Sequence, residues 1–291
     1  MNKIKVFCFG FGQVAKYFIK KIIKENRTLE LNISSRQKTH KKTFEGLDFN
    51  SYEFSEKKID KDINNEIENA DFILVSIPPI EGEDLVINNF KEIIKKTKSK
   101  WITYLSATSV YGNHDGGWVN EKSKTRPTSV NGTNRLKAED QWIKLSKEYN
   151  LPLQIFRLSG IYSTQNNILK RLMAGQVNVI KKENHFFSRI HVEDIANILF
   201  NSLNKFKRNQ IYNISDDAPA SQEEVAIYGS KLLKINSLRF LQPDSLEDGM
   251  LKDFYRDSKK VDNKKVKEFF NYKFTYPTYK EGLDNILNKI G

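Results

Sequence analysis

Short apolar runs alternate with longer amphipathic stretches along the first half of the chain. Ile4 to Phe9 is apolar except for Lys5, the pattern of a parallel strand covered on both faces. Directly after Gly10-Phe11-Gly12, the residues Val14, Phe18 and Ile22 recur every fourth position with Ile19 and Ile23 beside them, which predicts a helix with one buried face. Further strands are predicted from Leu29 to Ser34, from Asp71 to Ser76 (stopped by Pro78-Pro79), from Trp101 to Leu105 and from Leu153 to Leu158. Lys91 to Lys98 is the basic end of a helix, and Ser129 to Tyr149 reads as helical throughout. Past residue 160 the strand signal thins. Helical stripes take over at Ile195, Ala196, Ile198, Leu199 and Leu203, at Val225, Leu232 and Leu233, and at Tyr279, Leu283, Ile286, Leu287 and Ile290. The fold class that follows is α/β: a doubly wound parallel sheet with a smaller, mostly helical C-terminal cap on the substrate side.

Composition narrows the function classes. The 291 residues carry 48 Lys+Arg against 36 Asp+Glu, a formal charge of +12, with 38% hydrophobic residues. The apolar share is too high and too evenly spread for a disordered chain. Basic residues are dispersed among Asp, Glu and Asn, with no helix-turn-helix, zinc-finger or aromatic–basic pattern, so a specific nucleic-acid partner is not expected. No apolar run reaches the ~18 residues of a membrane helix, and the N-terminal run is broken by Gly10 and Gly12 rather than leading to a cleavage site. One cysteine, Cys8, excludes an internal disulfide, and with four scattered histidines it offers no metal spacing. A cytoplasmic, reducing setting without membrane association is expected.

Gly10-Phe11-Gly12-Gln13-Val14-Ala15 fits G-x-G-x-x-A between a strand and a helix. The first glycine permits a tight turn. The second lets backbone approach a pyrophosphate at the helix N-terminus, where amides and dipole favour an anion. Gln13 and Val14 supply first-turn amides, and Ile77 follows the strand that ends in Ser76. The second strand ends Ser34-Ser35-Arg36-Gln37-Lys38 without the acid that bonds ribose hydroxyls in NAD sites. Ser35 and Arg36 suit a 2′-phosphate instead, so NADP is preferred over NAD. Residues 1–160 are read as the dinucleotide-binding domain. Residues 161–291 are read as the substrate-side region, interleaved with the last strands and helices of the first.

The segment Leu105-Ser-Ala-Thr-Ser-Val-Tyr111-Gly112 resembles the extended short-chain dehydrogenase/reductases, the NAD-dependent epimerase/dehydratase group with a Rossmann fold. Similar echoes follow in order: Pro127-Thr-Ser, Lys137-Ala-Glu139, Arg157-Leu-Ser-Gly160-Ile-Tyr162, Arg189-Ile-His191-Val-Glu-Asp194-Ile-Ala196 and Tyr212-Asn-Ile-Ser-Asp216. The ending Tyr276-Pro277-Thr-Tyr279-Lys-Glu-Gly282-Leu283 resembles an atypical branch of that family. The resemblance implies a small-molecule substrate such as a nucleotide sugar, and a homodimer through residues 83–98 and 129–149.

That family transfers protons with a Tyr-x-x-x-Lys pair on one helical face, helped by a Ser or Thr after a neighbouring strand. Alignment on Gly132 and Glu139 places Asn131 at the tyrosine position and Arg135 at the lysine position. Counting back four from Tyr111 places Ala107 at the Ser/Thr position. Asn131 cannot exchange a proton near neutral pH and Ala107 has no hydroxyl, whereas Arg135 stays charged and able to bond the cofactor. The candidate replacements are Thr108, Tyr111 and His114, the last because an imidazole titrates near neutrality. Arg157 and Arg189 are candidates for an anionic substrate or for ordinary ion pairs. His191 with Asp194 reads as structural. Two functions stay open: an NAD(P)-linked epimerase, dehydratase or reductase, and a non-catalytic dinucleotide-binding redox sensor or scaffold.

Overall fold

A computed structural model describes residues 3–55, 57–241 and 255–290. The chain divides into two compact units interleaved in sequence. One comprises residues up to Ser106, Asn134–Arg157 and Ile195–Tyr212. The other comprises Ala107–Thr133, Leu158–Asp194 and the chain from Asn213.

The first unit is built on a sheet of β1 (Ile4–Phe9), β2 (Leu29–Ser35), β3 (His40–Phe44), β4 (Leu47–Glu53), β5 (Phe72–Val75), β6 (Trp101–Ala107), β8 (Leu153–Leu158) and β12 (Gln210–Ile214). Their order is β12-β8-β6-β5-β1-β2-β4-β3. The pairs β1–β2, β1–β5, β2–β4 and β5–β6 are parallel, and β3–β4 is an antiparallel hairpin. The order reverses on either side of β1, which places a topological switch point at its carboxyl end. The hairpin is a departure from the sequence reading, which had no strand there. Glu45 and Gly46, both at positive φ (49° and 75°), form its two-residue loop, and the solvent-facing lysines of β3 protect the sheet edge.

Helix α1 (Gln13–Lys24) follows the predicted stripe, α3 (Leu85–Ile94) and α4 (Val130–Tyr149) fall where helices are predicted, and α2 (Ile63–Glu68) is a short helix that the sequence pattern does not predict. α1 buries Val14, Ala15, Phe18, Ile19 and Ile22. α3 starts at Asp84, whose carboxylate accepts from the Val86 and Ile87 amides, and ends at Ile94, short of the predicted Lys98. Phe9, Phe54 and Phe90 interlock with ring centroids 5.0–6.1 Å apart, joining Ile73, Ile102 and Trp142 in the core.

The second unit packs α5 (Ile168–Met173), α7 (Gln222–Leu232) and α9 (Tyr279–Ile290) around Leu169, Leu172, Val225, Leu283 and Ile286. Gly229 lets α7 close on α5: a Cβ there would sit 2.9 Å from Leu172 Cδ1. Gly282 of α9 lies directly against the Tyr162 ring. Short parallel pairs complete the unit: β9 (Gly160–Tyr162) with β11 (Arg189–His191), β10 (Asn178–Ile180) with β13 (Arg239–Leu241), and β7 (Trp118–Val119) with β14 (Lys260–Val261). The described residues also form α6 (Val192–Ser202) and α8 (Lys264–Phe270).

Candidate dinucleotide turn and the altered catalytic positions

The glycine turn is assembled by three strand ends of the first unit. Gly10 N–H donates to Ser34 Oγ at 3.2 Å, and Ser76 Oγ–H reaches the carbonyls of Phe9 and Gly10 at 2.9 and 3.2 Å. Gly10 has φ +85°, and a Cβ on it would meet Ile77 Cγ2 at 2.8 Å, so this position demands glycine. Gly12 differs: its φ is −77°, and a Cβ there would meet nothing within 4 Å. No side chain caps α1, and no acidic residue occupies its first turn. A twelve-residue helix therefore presents its N-terminal amides and positive dipole end across an open glycine. That cradle fits a pyrophosphate. Val14 and Ala15 are buried, so they face such a ligand through backbone alone, and Phe11 packs on Phe44 and Phe49 of the edge hairpin. No motif in the sequence marks Ser34 and Ser76; they reach the turn because they lie at the carboxyl ends of the strands flanking β1.

At the end of β2, Ser35 Oγ accepts from Ser51 Oγ–H at 3.0 Å and from Gln37 N–H at 3.3 Å. Arg36 is exposed and makes no hydrogen bond or ion pair among the described residues. On α4, Arg135 Nη1 donates to the Leu105 carbonyl at 2.7 Å and to the Tyr104 hydroxyl at 3.3 Å. Arg157 is no surface group: it is 4% exposed and forms a bidentate pair with buried Glu139, with Nε at 3.0 Å and Nη2 at 2.6 Å from the carboxylate.

In the second unit, Thr108 and Tyr111 lie on a single 3-10 turn (Thr108–Tyr111) following Ala107. Tyr111 is fully buried and its hydroxyl donates to Asn213 Oδ1 at 2.7 Å. His114 stands edge-on to Tyr111, ring centroids 6.5 Å apart, and its Nε2 faces the carbonyls of Tyr111 and Lys124 at 3.1 and 3.2 Å. Two carbonyl acceptors require the Nε2–H tautomer. Asn131 is exposed in the first turn of α4, where Gly132 approaches Ser109 so closely that a Cβ would sit 2.7 Å from its carbonyl oxygen. Structure brings Thr108, Tyr111 and His114 into one neighbourhood, with the Tyr111 hydroxyl and His114 Nε2 held by protein acceptors.

Asp194 is buried and accepts from Tyr272 O–H (2.5 Å) and the amides of Thr275 (2.8 Å) and Tyr276 (3.0 Å), which makes it a structural hub. Burial pushes its carboxyl up while these donors pull it down. His191 lies between the rings of Tyr162 and Tyr276, and burial lowers its imidazole to about 4. Arg189 Nη1 donates to the carbonyls of Phe187 and Ala220.

Residues 86–215 match the family described as "NAD dependent epimerase/dehydratase family". A curated relative, ADP-L-glycero-D-manno-heptose-6-epimerase of Brachyspira hyodysenteriae, is 25% identical over 205 residues. That match spans 62% of this chain and 64% of the relative's length. A functionally unknown conserved protein from Silicibacter pomeroyi DSS superposes with TM-score 0.85 at 28% identity over 98% of both chains. UDP-glucuronic acid 4-epimerase from Bacillus cereus, solved in complex with NAD, superposes with TM-score 0.78 at 15% identity over 99% of this chain and 96% of its own, a likeness of fold. In ordered motifs and in these relationships, the chain is similar to members of the NAD-dependent epimerase/dehydratase family, whose match spans residues 86–215.

Proposed function

We propose that the protein binds a nicotinamide dinucleotide at the Gly10–Gly12 turn, NADP in preference to NAD, and acts in the cytoplasm on a nucleotide sugar or a related small carbonyl or hydroxyl compound. The open, uncapped N-terminus of α1 carries this reading. Gly10, Gly12 and the backbone of Gln13 and Val14 would hold the pyrophosphate, Ile77 would border it, and Ser35 and Arg36 would receive the 2′-phosphate. The bound dinucleotide would supply hydride exchange at its nicotinamide. Arg135 brings a fixed positive charge but cannot act as a proton donor. Thr108, Tyr111 and His114 are the residues from which a substitute proton path would be drawn. Self-association through residues 83–98 and 129–149 is what the family resemblance implies.

A non-catalytic dinucleotide sensor or scaffold is the second reading. It is favoured by the hydrogen bond from Arg135 to the Leu105 carbonyl, together with Ala107 and Asn131 at the other two catalytic positions. Fluorescence titration with NADPH and NADH tests the cofactor. Tighter NADPH binding, weakened about tenfold in Arg36→Ala, supports the phosphate contact; failure of the folded protein to bind either dinucleotide sinks both readings. A sugar-nucleotide panel assayed with bound cofactor then separates enzyme from sensor.

A further inference from the structure

Trp118 is 61% exposed, whereas Trp101 and Trp142, the other two tryptophans, are 0% exposed. It borders a recess of about 280 Å³ whose remaining walls are Asp216, Asp217, Val261, Asp262 and Asn263, all in the second unit. The acidic wall is held in shape by Asn263, whose Nδ2 donates to the carbonyls of Ser215 and Asp216 and to Asp217 Oδ1 at 2.7–3.1 Å. Asp216 is 1% exposed; its Oδ1 accepts from Ala218 N–H at 3.2 Å, but its Oδ2 receives no hydrogen bond among the described residues. Asp217 Oδ1 also takes the Lys267 ammonium, and Asp262 Oδ1 takes the Lys264 amide.

The recess is therefore rich in acceptors and poor in donors. Asn263 spends its amide hydrogens on the wall itself, and the Lys267 charge is already on Asp217. A sugar would ask for donors as well as acceptors, and an anion would be repelled. No three acidic, histidine or cysteine groups among the described residues converge closely enough to hold a metal ion. What fits is a positive charge on apolar carbon: carboxylates for the charge, an indole face for the carbon and for cation–π attraction. We propose that the recess beside Trp118 binds a small organic cation, an alkylammonium or guanidinium group, with its charge against Asp216, Asp217 and Asp262 and its stem on the Trp118 ring. The site reverses the sign of a chain whose formal charge is +12. Burial raises the Asp216 carboxyl well above its usual range, with the Asp217 and Asp194 charges adding to the rise and the Ala218 amide and Arg189 charge opposing it, so a further cation that favours its ionised form binds more tightly as pH rises.

With two tryptophans buried, quenching and spectral shift report on Trp118. The full chain is titrated with cadaverine at constant ionic strength, beside 1,5-pentanediol, glutarate and methyl glucoside. The expected result is a saturable change with cadaverine alone, weakened at least tenfold in Asp217→Asn/Asp262→Asn, whose amides keep the acceptor oxygens that the fold uses. Circular dichroism checks that the variant folds; if it does not, calorimetry on Trp118→Ala must show the same loss. An equal response to pentanediol or methyl glucoside, no saturation with cadaverine, or unchanged affinity in a folded variant overturns the assignment.

Discussion

Arg135 and Leu105 are joined by a 2.7 Å hydrogen bond from the guanidinium to a backbone carbonyl near the carboxyl end of β6. The same guanidinium lies 5.9 Å from the centroid of the buried Tyr104 ring. At the position where the family carries a lysine, this chain holds a charge tied to its own sheet. Arg135→Ala strands the carbonyl and is expected to cost about 1–3 kcal/mol, read as a lower urea midpoint. If the sensor reading holds, turnover appears only when Ala107→Ser, Asn131→Tyr and Arg135→Lys are combined; turnover in the unaltered protein removes that reading.

The two glycines of the turn should separate folding from binding. Gly10→Ala forces a side chain onto a φ of +85° and against Ile77, with an expected loss of roughly 1–3 kcal/mol. Gly12→Asp enters open space at a helix N-cap, where Asp is at least as good a cap as Gly, so thermal stability should hold or rise by a few tenths of a kcal/mol. Its carboxylate nevertheless occupies the place of a pyrophosphate. Dinucleotide affinity measured by fluorescence should fall by at least a hundredfold; unchanged affinity would move the cofactor away from this turn.

Asp194→Ala leaves the amides of Thr275 and Tyr276 without their acceptor. Two stranded donors at about 1–3 kcal/mol each give an expected loss of about 2–6 kcal/mol. Denaturant unfolding of Asp194→Asn, which retains one acceptor oxygen, should fall between the wild type and the alanine variant.

Acid should act partly through His191. Its folded pKa of about 4 lies below the unfolded value near 6.5, so the unfolded chain takes up the proton first. Stability from this group is complete above pH 6.5 and is lost as pH falls toward 4. His191→Phe keeps a ring between Tyr162 and Tyr276 but cannot be protonated. Urea midpoints from pH 7 to 4.5 should fall less steeply in the variant than in the wild type. Buried Asp216 and Asp194 act in the opposite direction in both proteins, so the difference between the two slopes isolates the histidine.

Features encoded by neighbours in sequence were legible. The strand ending at Phe9, the Gly10–Gly12 turn and the stripe of α1 lie within about twenty residues, and local periodicity and glycine chemistry suffice to place them. Ser34 and Ser76 reach the turn through sheet register, in which Phe9 pairs with Ser34 on one side and Val75 on the other. No local pattern announces that register. The edge hairpin was hidden because β3 is largely exposed and polar, leaving only Glu45-Gly46 as its mark. Glu139 and Arg157 were each visible as parts of separate motifs. Their meeting as a buried bidentate pair depends on how α4 crosses β8 within the first unit.

The seating of α9 sets a timetable for the growing chain. Leu283 and Ile286 fill the same apolar cluster as Leu169 and Val225, while Gly282 receives the Tyr162 ring. Segments made more than a hundred residues apart must therefore coexist before that cluster is dry. During synthesis, the second unit waits for residues 279–290 with its apolar seam uncovered, whereas every segment of the first unit has been made once Tyr212 emerges. The interval between those two moments is when the nascent chain is most exposed to chaperones and proteases.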